Sequence, residues 1–319
     1  MAETSHRFVE TNGLRMHVAE QGSGPLVVLL HGFPELWYSW RHQLAALSEA
    51  GYRAVAPDLR GYGQTDSPVE SQRYTQLHLV GDVIGLLDAL GEEQAVVVGH
   101  DWGATLAWTT ALLRPDRVRG VVGLSVPYRP RGAQSVLAAF VSRAGERFYM
   151  AYFQTPGVAD AELGRDARTT LRRVLYAASG AVAPSPALAL AAEGGGWLDR
   201  MQEPTTLPDW LSEADLDAFA SEYARTGFTG GLNWYRAIDL TWELMAPWHG
   251  ALISSPALYV VGQRDLTVAL ATGQDVIERL RRYVPNLRDA RLLPGCGHWT
   301  QQERPAEVNA ALLDFVRSL

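Results

Sequence analysis

The chain has 319 residues, 47% of them hydrophobic, and carries a net charge of −7. That is enough apolar material for one large core, or for a core carrying an inserted second unit. The acidic balance, with no basic stripe, excludes nucleic acid as an expected partner, and the lack of any lysine excludes Schiff-base chemistry and a phosphate-loop lysine.

In chain order, Gly13 to Glu20 and Leu26 to Leu30 read as strands, followed by a helix near Tyr38 to Ala50. Apolar runs such as Leu26 to Leu30 are of strand length and far too short to cross a membrane, so no span is expected. The residues from Met1 to Arg7 have no apolar run behind them and do not read as a secretion signal. Arg53 to Pro57 is the next strand, Thr75 to Leu90 a helix, Ala95 to Gly99 a strand, Ala104 to Leu113 a helix and Arg119 to Leu124 a strand. This alternation predicts an α/β fold with a mostly parallel sheet covered on both faces.

From about Tyr128 to Pro247 the alternation stops. The segment has helical periodicity over Ala161 to Ala178 and Glu213 to Thr226, and Ala177 to Gly196 reads as a loop. After Pro256 the rhythm resumes, with a strand at Ala257 to Val261, a helix at Val268 to Tyr283, a strand at Arg288 to Leu293 and a helix at Pro305 to Ser318. The expected organisation is a core formed by residues 1–127 and 248–319, with a helical cap over residues 128–247. A cap inserted at the carboxyl ends of the strands would close over the ligand-binding edge of the sheet.

The stretch Val96-Val97-Val98-Gly99-His100-Asp101-Trp102-Gly103-Ala104 reads as a buried strand turning sharply into a helix through Gly-x-Asp-x-Gly. Glycines suit the tight turn and the close packing of helix on strand. The residue on the turn is Asp101, whose carboxylate is ionised near pH 7 and can attack saturated carbon without a base. Two further groups fall just past strands, Asp265 in Val-Val-Gly-Gln-Arg-Asp and His298 in Gly-Cys-Gly-His-Trp. Asp265 is expected to orient the His298 ring and His298 to activate water. Asp58, in Asp58-Leu59-Arg60-Gly61-Tyr62-Gly63, follows a strand but lacks the sharp turn and reads as structural. The eight histidines are scattered and there is one cysteine, Cys296, so no metal and no intrachain disulfide are expected, and a reducing, cytoplasmic setting is.

The strand–Asp101–helix turn, followed in chain order by acid and histidine, resembles the α/β-hydrolase superfamily, which implies an eight-stranded, mostly parallel sheet with helices on both faces. Within it, His31-Gly32-Phe33-Pro34, Gly99-His100-Asp101-Trp102-Gly103 and Gly297-His298-Trp299 resemble motifs of the soluble epoxide hydrolases. The resemblance covers nearly the whole chain. It implies an oxyanion hole formed by the backbone N–H groups of Phe33 and Trp102, with the Phe33–Pro34 bond open to a cis geometry. Two cap segments, Tyr149 to Gly157 and Gly231 to Arg236, resemble those that each carry a ring-opening tyrosine, which implies Tyr149 and Tyr235; Tyr152 competes for the first role. Phenols are neutral donors at pH 7 and can protonate the departing epoxide oxygen. The implied reaction converts an epoxide and water to a vicinal diol through a hydroxyalkyl ester on Asp101 and needs no cofactor. Phe33, Trp37, Trp102, Phe153 and Trp299 are expected to line an apolar, aromatic pocket, which favours a hydrophobic epoxide as the small-molecule partner; a homodimer is a further candidate assembly. The rival readings are a haloalkane dehalogenase and a non-catalytic binding protein on the same scaffold.

Overall fold

The centre of the sheet is built from runs too apolar to face water on either side. In Leu26–Leu30 and Ala95–His100 every residue is buried. Val27, Leu29, Val96 and Val98 enter one hydrophobic cluster, while Val28, Leu30, Ala95 and Val97 enter the other. Successive side chains point to opposite faces, so both faces need a cover.

The structure, a computed structural model, describes residues 3–269 and 275–319. Eight strands form one sheet: β1 (Ser5–Thr11), β2 (Leu14–Gln21), β3 (Leu26–Leu30), β4 (Arg53–Pro57), β5 (Ala95–His100), β6 (Val118–Leu124), β7 (Ala257–Gly262) and β8 (Leu287–Leu293). Their order is β1-β2-β4-β3-β5-β6-β7-β8. β2 runs antiparallel to both its neighbours and the other pairings are parallel. Strand β1 has no counterpart in the strand-by-strand sequence reading. It is an edge strand whose first residues are exposed, so its side chains carry little apolar alternation.

Helices α1 (Arg41–Glu49), α2 (Gln76–Leu90) and α3 (Trp102–Leu113) alternate with the strands of the first half. Between β6 and β7 lie only helices among the described elements: α4 (Val136–Ala144), α5 (Tyr149–Tyr152), α6 (Val158–Gly164), α7 (Ala167–Ala177), α8 (Glu213–Thr226), α9 (Thr229–Arg236) and α10 (Ile238–Leu244), with short 3-10 turns. The single helix expected over Ala161 to Ala178 is two. Asp166 accepts from the amides of Arg168 and Thr169, capping α7 and ending the run from α6. Ser212 and Asp215 form a reciprocal cap on α8, which buries Leu216, Phe219, Ala220 and Tyr223 at helical spacing. Phe153, Leu171 and Phe219 belong to the same cluster as Val28 and Val97, so the helical segment shares its core with one face of the sheet.

After β7 come α11 (Leu266–Ala269), α12 (Val276–Arg281), α13 (Thr300–Glu303) and α14 (Pro305–Arg317). Of the helix expected over Val268 to Tyr283, α12 covers Val276–Arg281 behind an extended Asp275, and the stretch 270–274 lies outside the described residues. No helix among the described residues is long and apolar enough to cross a membrane.

Candidate active site

Asp101 occupies the turn between β5 and α3 with φ 54° and ψ −118°, a conformation that costs a non-glycine residue free energy. The flanking glycines make the turn fit. A Cβ on Gly99 would strike the carbonyl of Gly103, and one on Gly103 would strike the carbonyls of Leu30 and His31. Gly32 leaves room for the Asp101 side chain itself. The loop after β3 then runs beside the carboxylate: Phe33 N donates to Asp101 Oδ1 at 2.9 Å, just before the cis Phe33–Pro34 bond. Trp102 N is the first amide of α3, where backbone donors have no intrahelical partner.

His298 lies across the sheet edge from Asp101, with Nε2 at 3.5 Å from Asp101 Oδ2. Its Nδ1 is 3.0 Å from Asp265 Oδ2. Asp265 is fully buried and accepts from Thr267 N at 2.7 Å through its other oxygen. Burial opposes charge on this carboxylate, but His298 and Ser125 hold it below its ordinary range. Burial likewise opposes charge on the His298 ring, yet Asp265 and then Asp101 raise it well above the usual imidazole value.

A cavity of about 380 Å³ opens above these groups. Phe33, Trp102 and Trp299 line it from the core side, Tyr149 and Tyr235 from the helical segment. The two tyrosine rings sit 5.8 Å apart at 75°. Gln154 Nε2 ties their segments together by donating to the carbonyls of Met150 and Tyr235. Burial first, and for Tyr149 the Asp101 charge next, push both phenols above their ordinary value, so both stay protonated. Tyr152 is not among the lining residues; it borders a separate polar hollow with Glu162, and burial and that carboxylate raise its phenol to about 12.

Two expected pocket residues lie elsewhere. Trp37 starts a 3-10 turn that swings its ring away from the cavity, onto His6 and His17 at 4.8 and 6.5 Å. Phe153 is fully buried behind the wall, edge-on to Phe33, Tyr149 and Tyr235, and so supports the lining without forming it. Asp58 is buried in a structural role, accepting from Trp37 N and Gln64 N and pairing with His17 Nδ1 at 2.8 Å.

Two features went unread in the sequence. Glu35 is fully buried, pairs with His100 Nδ1 at 2.6 Å and accepts from Gln301 and Gln302. His100 Nε2 in turn meets the backbone carbonyl of His298 at 2.8 Å, tying that loop to the end of β5 beside Asp101. Ser125, at the end of β6, touches both Asp265 and His298. Their sequence signals are weak, because the partners of Glu35 and Ser125 stand 65 to 267 residues away.

Comparison with known proteins identifies the family. A family model for the alpha/beta hydrolase fold matches residues 25–305. Epoxide hydrolase 2 of Siraitia grosvenorii is 46% identical over 321 residues, covering 99% of both chains. Epoxide hydrolase A of Mycobacterium tuberculosis is 46% identical, covering 100% of this chain and 99% of its own. Among solved structures, epoxide hydrolase A from Mycobacterium thermoresistibile superposes with a TM-score of 0.93 at 48% identity, over 99% of both chains. An epoxide hydrolase from an endophytic Streptomyces gives 0.95 at 46% identity, over 99% of this chain and 96% of that one. With full-length identity of this order, the chain belongs to the epoxide hydrolases of the α/β-hydrolase fold.

Proposed function

We propose that this epoxide hydrolase works through a covalent ester on Asp101, with Tyr149 and Tyr235 as proton donors and His298, oriented by Asp265, as the base. The carrying observation is the convergence of Asp101, two neutral phenols and His298 on one cavity. Asp101 attacks an epoxide carbon, a new C–O bond forms, and the ring C–O bond breaks. The departing oxygen takes a proton from one of the tyrosines. Water, deprotonated at His298 Nε2, then adds to the ester carbonyl. The oxygen already held by Phe33 N becomes the oxyanion, shared with Trp102 N. Collapse expels the second diol oxygen, which takes the proton held by His298, and the proton of the regenerated Asp101 carboxyl returns to the tyrosinate, so the vicinal diol leaves and carboxylate, phenol and neutral ring are restored.

The electrostatics support this order. Asp101's charge raises Tyr149, Tyr235 and His298 alike. Esterification removes that charge. The phenols then become better acids when an alkoxide needs a proton, and His298 becomes easier to deprotonate when water needs a base.

The aromatic lining supports a hydrophobic epoxide as substrate. We read residues 128–247 as the cap, with the core formed by 1–127 and 248–319; the run of helices between β6 and β7 supports this division. A cytoplasmic, reducing setting fits Cys296, a buried free thiol. A homodimer is the further assembly to examine by sedimentation.

The test is diol formation from trans-stilbene oxide beside halide release from a bromoalkane. Wild type should make diol and release no halide, and the Tyr149→Phe/Tyr235→Phe double variant should lose the diol. Full activity in the double variant would remove the tyrosines from the mechanism.

A further inference from the structure

Ser125 follows β6 and is fully buried, with a left-handed φ of 70°. Only two other non-glycine residues among those described have positive φ, and one of them is Asp101. The backbone at Ser125 is held on both sides: its N–H donates to Val260 O at 2.8 Å, and its carbonyl accepts from Tyr259 Oη at 2.8 Å. Strain at a fixed, buried position persists only where surrounding contacts impose it.

The imposed geometry puts the hydroxyl between two members of the catalytic set. Ser125 Oγ donates to Asp265 Oδ2 and lies 2.8 Å from His298 Nδ1. The hydroxyl has one proton, and an ionised carboxylate can only accept. That proton therefore goes to Asp265, and the oxygen lone pair faces the ring. His298 Nδ1 then has two acceptors, Ser125 Oγ at 2.8 Å and Asp265 Oδ2 at 3.0 Å, and must carry hydrogen. With Nδ1 protonated, the lone pair of neutral His298 sits on Nε2, the nitrogen 3.5 Å from Asp101.

We propose that Ser125 is a positioning residue that fixes the tautomer and ring orientation of His298 for ester hydrolysis. It does so by bridging Nδ1 and the Asp265 carboxylate. The proposal rests on the reading of His298 as the base. Ser125 is not needed for the first half-reaction, because attack by the Asp101 carboxylate needs no base.

Ser125→Gly removes the hydroxyl while relaxing the φ of 70°, which glycine adopts freely. Ser125→Ala removes the hydroxyl and keeps the strain. Both are mixed rapidly with trans-stilbene oxide, quenched, and the Asp101 adduct followed by intact mass, with His298→Gln alongside. In Ser125→Gly, alkylation should stay within about twofold of wild type while ester hydrolysis slows about tenfold or more, so that adduct accumulates. Ser125→Ala should show the same split at a lower melting temperature. Equal slowing of both steps, or no slowing, in Ser125→Gly overturns the positioning role. If His298→Gln accumulates adduct and Ser125→Gly does not, only the Ser125 proposal fails. If His298→Gln accumulates none, the reading of His298 as base falls and this proposal with it.

Discussion

Asp101 Oδ2 and His298 Nε2 face each other at 3.5 Å, closer to a salt bridge than to a hydrogen bond between neutral groups. In the proposed mechanism the pair sets the timing of the reaction. While Asp101 is ionised it favours imidazolium; once it is esterified that support is gone and Asp265 remains. In the proposed mechanism one residue therefore serves as nucleophile and as electrostatic gate for the other.

The two half-reactions should separate by mutation. His298→Gln should still be alkylated and then hold the ester, giving a mass increase equal to one epoxide. Asp101→Ala should give neither adduct nor diol. Quantitative diol from Asp101→Ala would move the nucleophile elsewhere.

The pH dependence has a definite sign. In the proposed mechanism hydrolysis needs neutral His298, whose protonated form is favoured in the folded enzyme, whereas attack by Asp101 does not. Below the ring's value in the ester form, hydrolysis should slow about tenfold per pH unit. The fraction of enzyme trapped as adduct at steady state should rise toward acid pH. Acid quenches after turnover at several pH values would check this, and an adduct fraction independent of pH would count against it.

The tyrosine assignment divides neighbours three residues apart. Tyr149→Phe and Tyr235→Phe should each lower kcat/KM by about 100-fold, the scale of one proton donor. Tyr152→Phe should change it less than about twofold, because Tyr152 borders the Glu162 hollow. Steady-state rates on one epoxide suffice, and the reverse ranking would transfer the role to Tyr152.

Glu35 should support stability in a pH-dependent way. Burial alone would raise its carboxyl, but His100 overcomes burial and sets it at about 2 against an ordinary 4.5. A depressed carboxyl contributes stability that is complete above its unfolded value and lost as pH falls through its folded value. Glu35→Gln should therefore cost about 3 kcal/mol near neutral pH. The difference from wild type should shrink as pH falls from about 4.5 toward 2. Urea melts of both proteins at pH 7 and pH 3 measure it.

Glycine substitutions should separate packing from propensity. Gly103→Ala would drive a Cβ into the carbonyls of Leu30 and His31, which lie at the end of a central strand. A loss of about 3 kcal/mol or more is expected. Gly164→Ala, at the end of α6 with open space around it, should be neutral or stabilise by about 0.5 kcal/mol. Thermal melts of the two variants would show whether the elbow is as tight as its geometry.

The local signals were strong wherever one segment carries its own physics. The apolar runs of β3, β4 and β5 can only be interior strands, and Gly-x-Asp-x-Gly marks a turn that few other sequences fit. The placement of Asp101, Asp265 and His298 just past strands was legible for that reason, and so was the α/β architecture. Other features depend on neighbours remote in sequence. Edge strand β1 has almost no pattern because its first residues are exposed on both faces. The ring of Trp37 could turn toward the cavity or toward His6, and the 3-10 turn sends it to His6. Phe153 has the right chemistry for a wall but lies behind it, because Tyr149 and Tyr235 take the front. Ser125 and Glu35 have no motif at all. Their contacts to His298 and His100 cross 173 and 65 residues, and only the folded sheet brings such groups within hydrogen-bond reach.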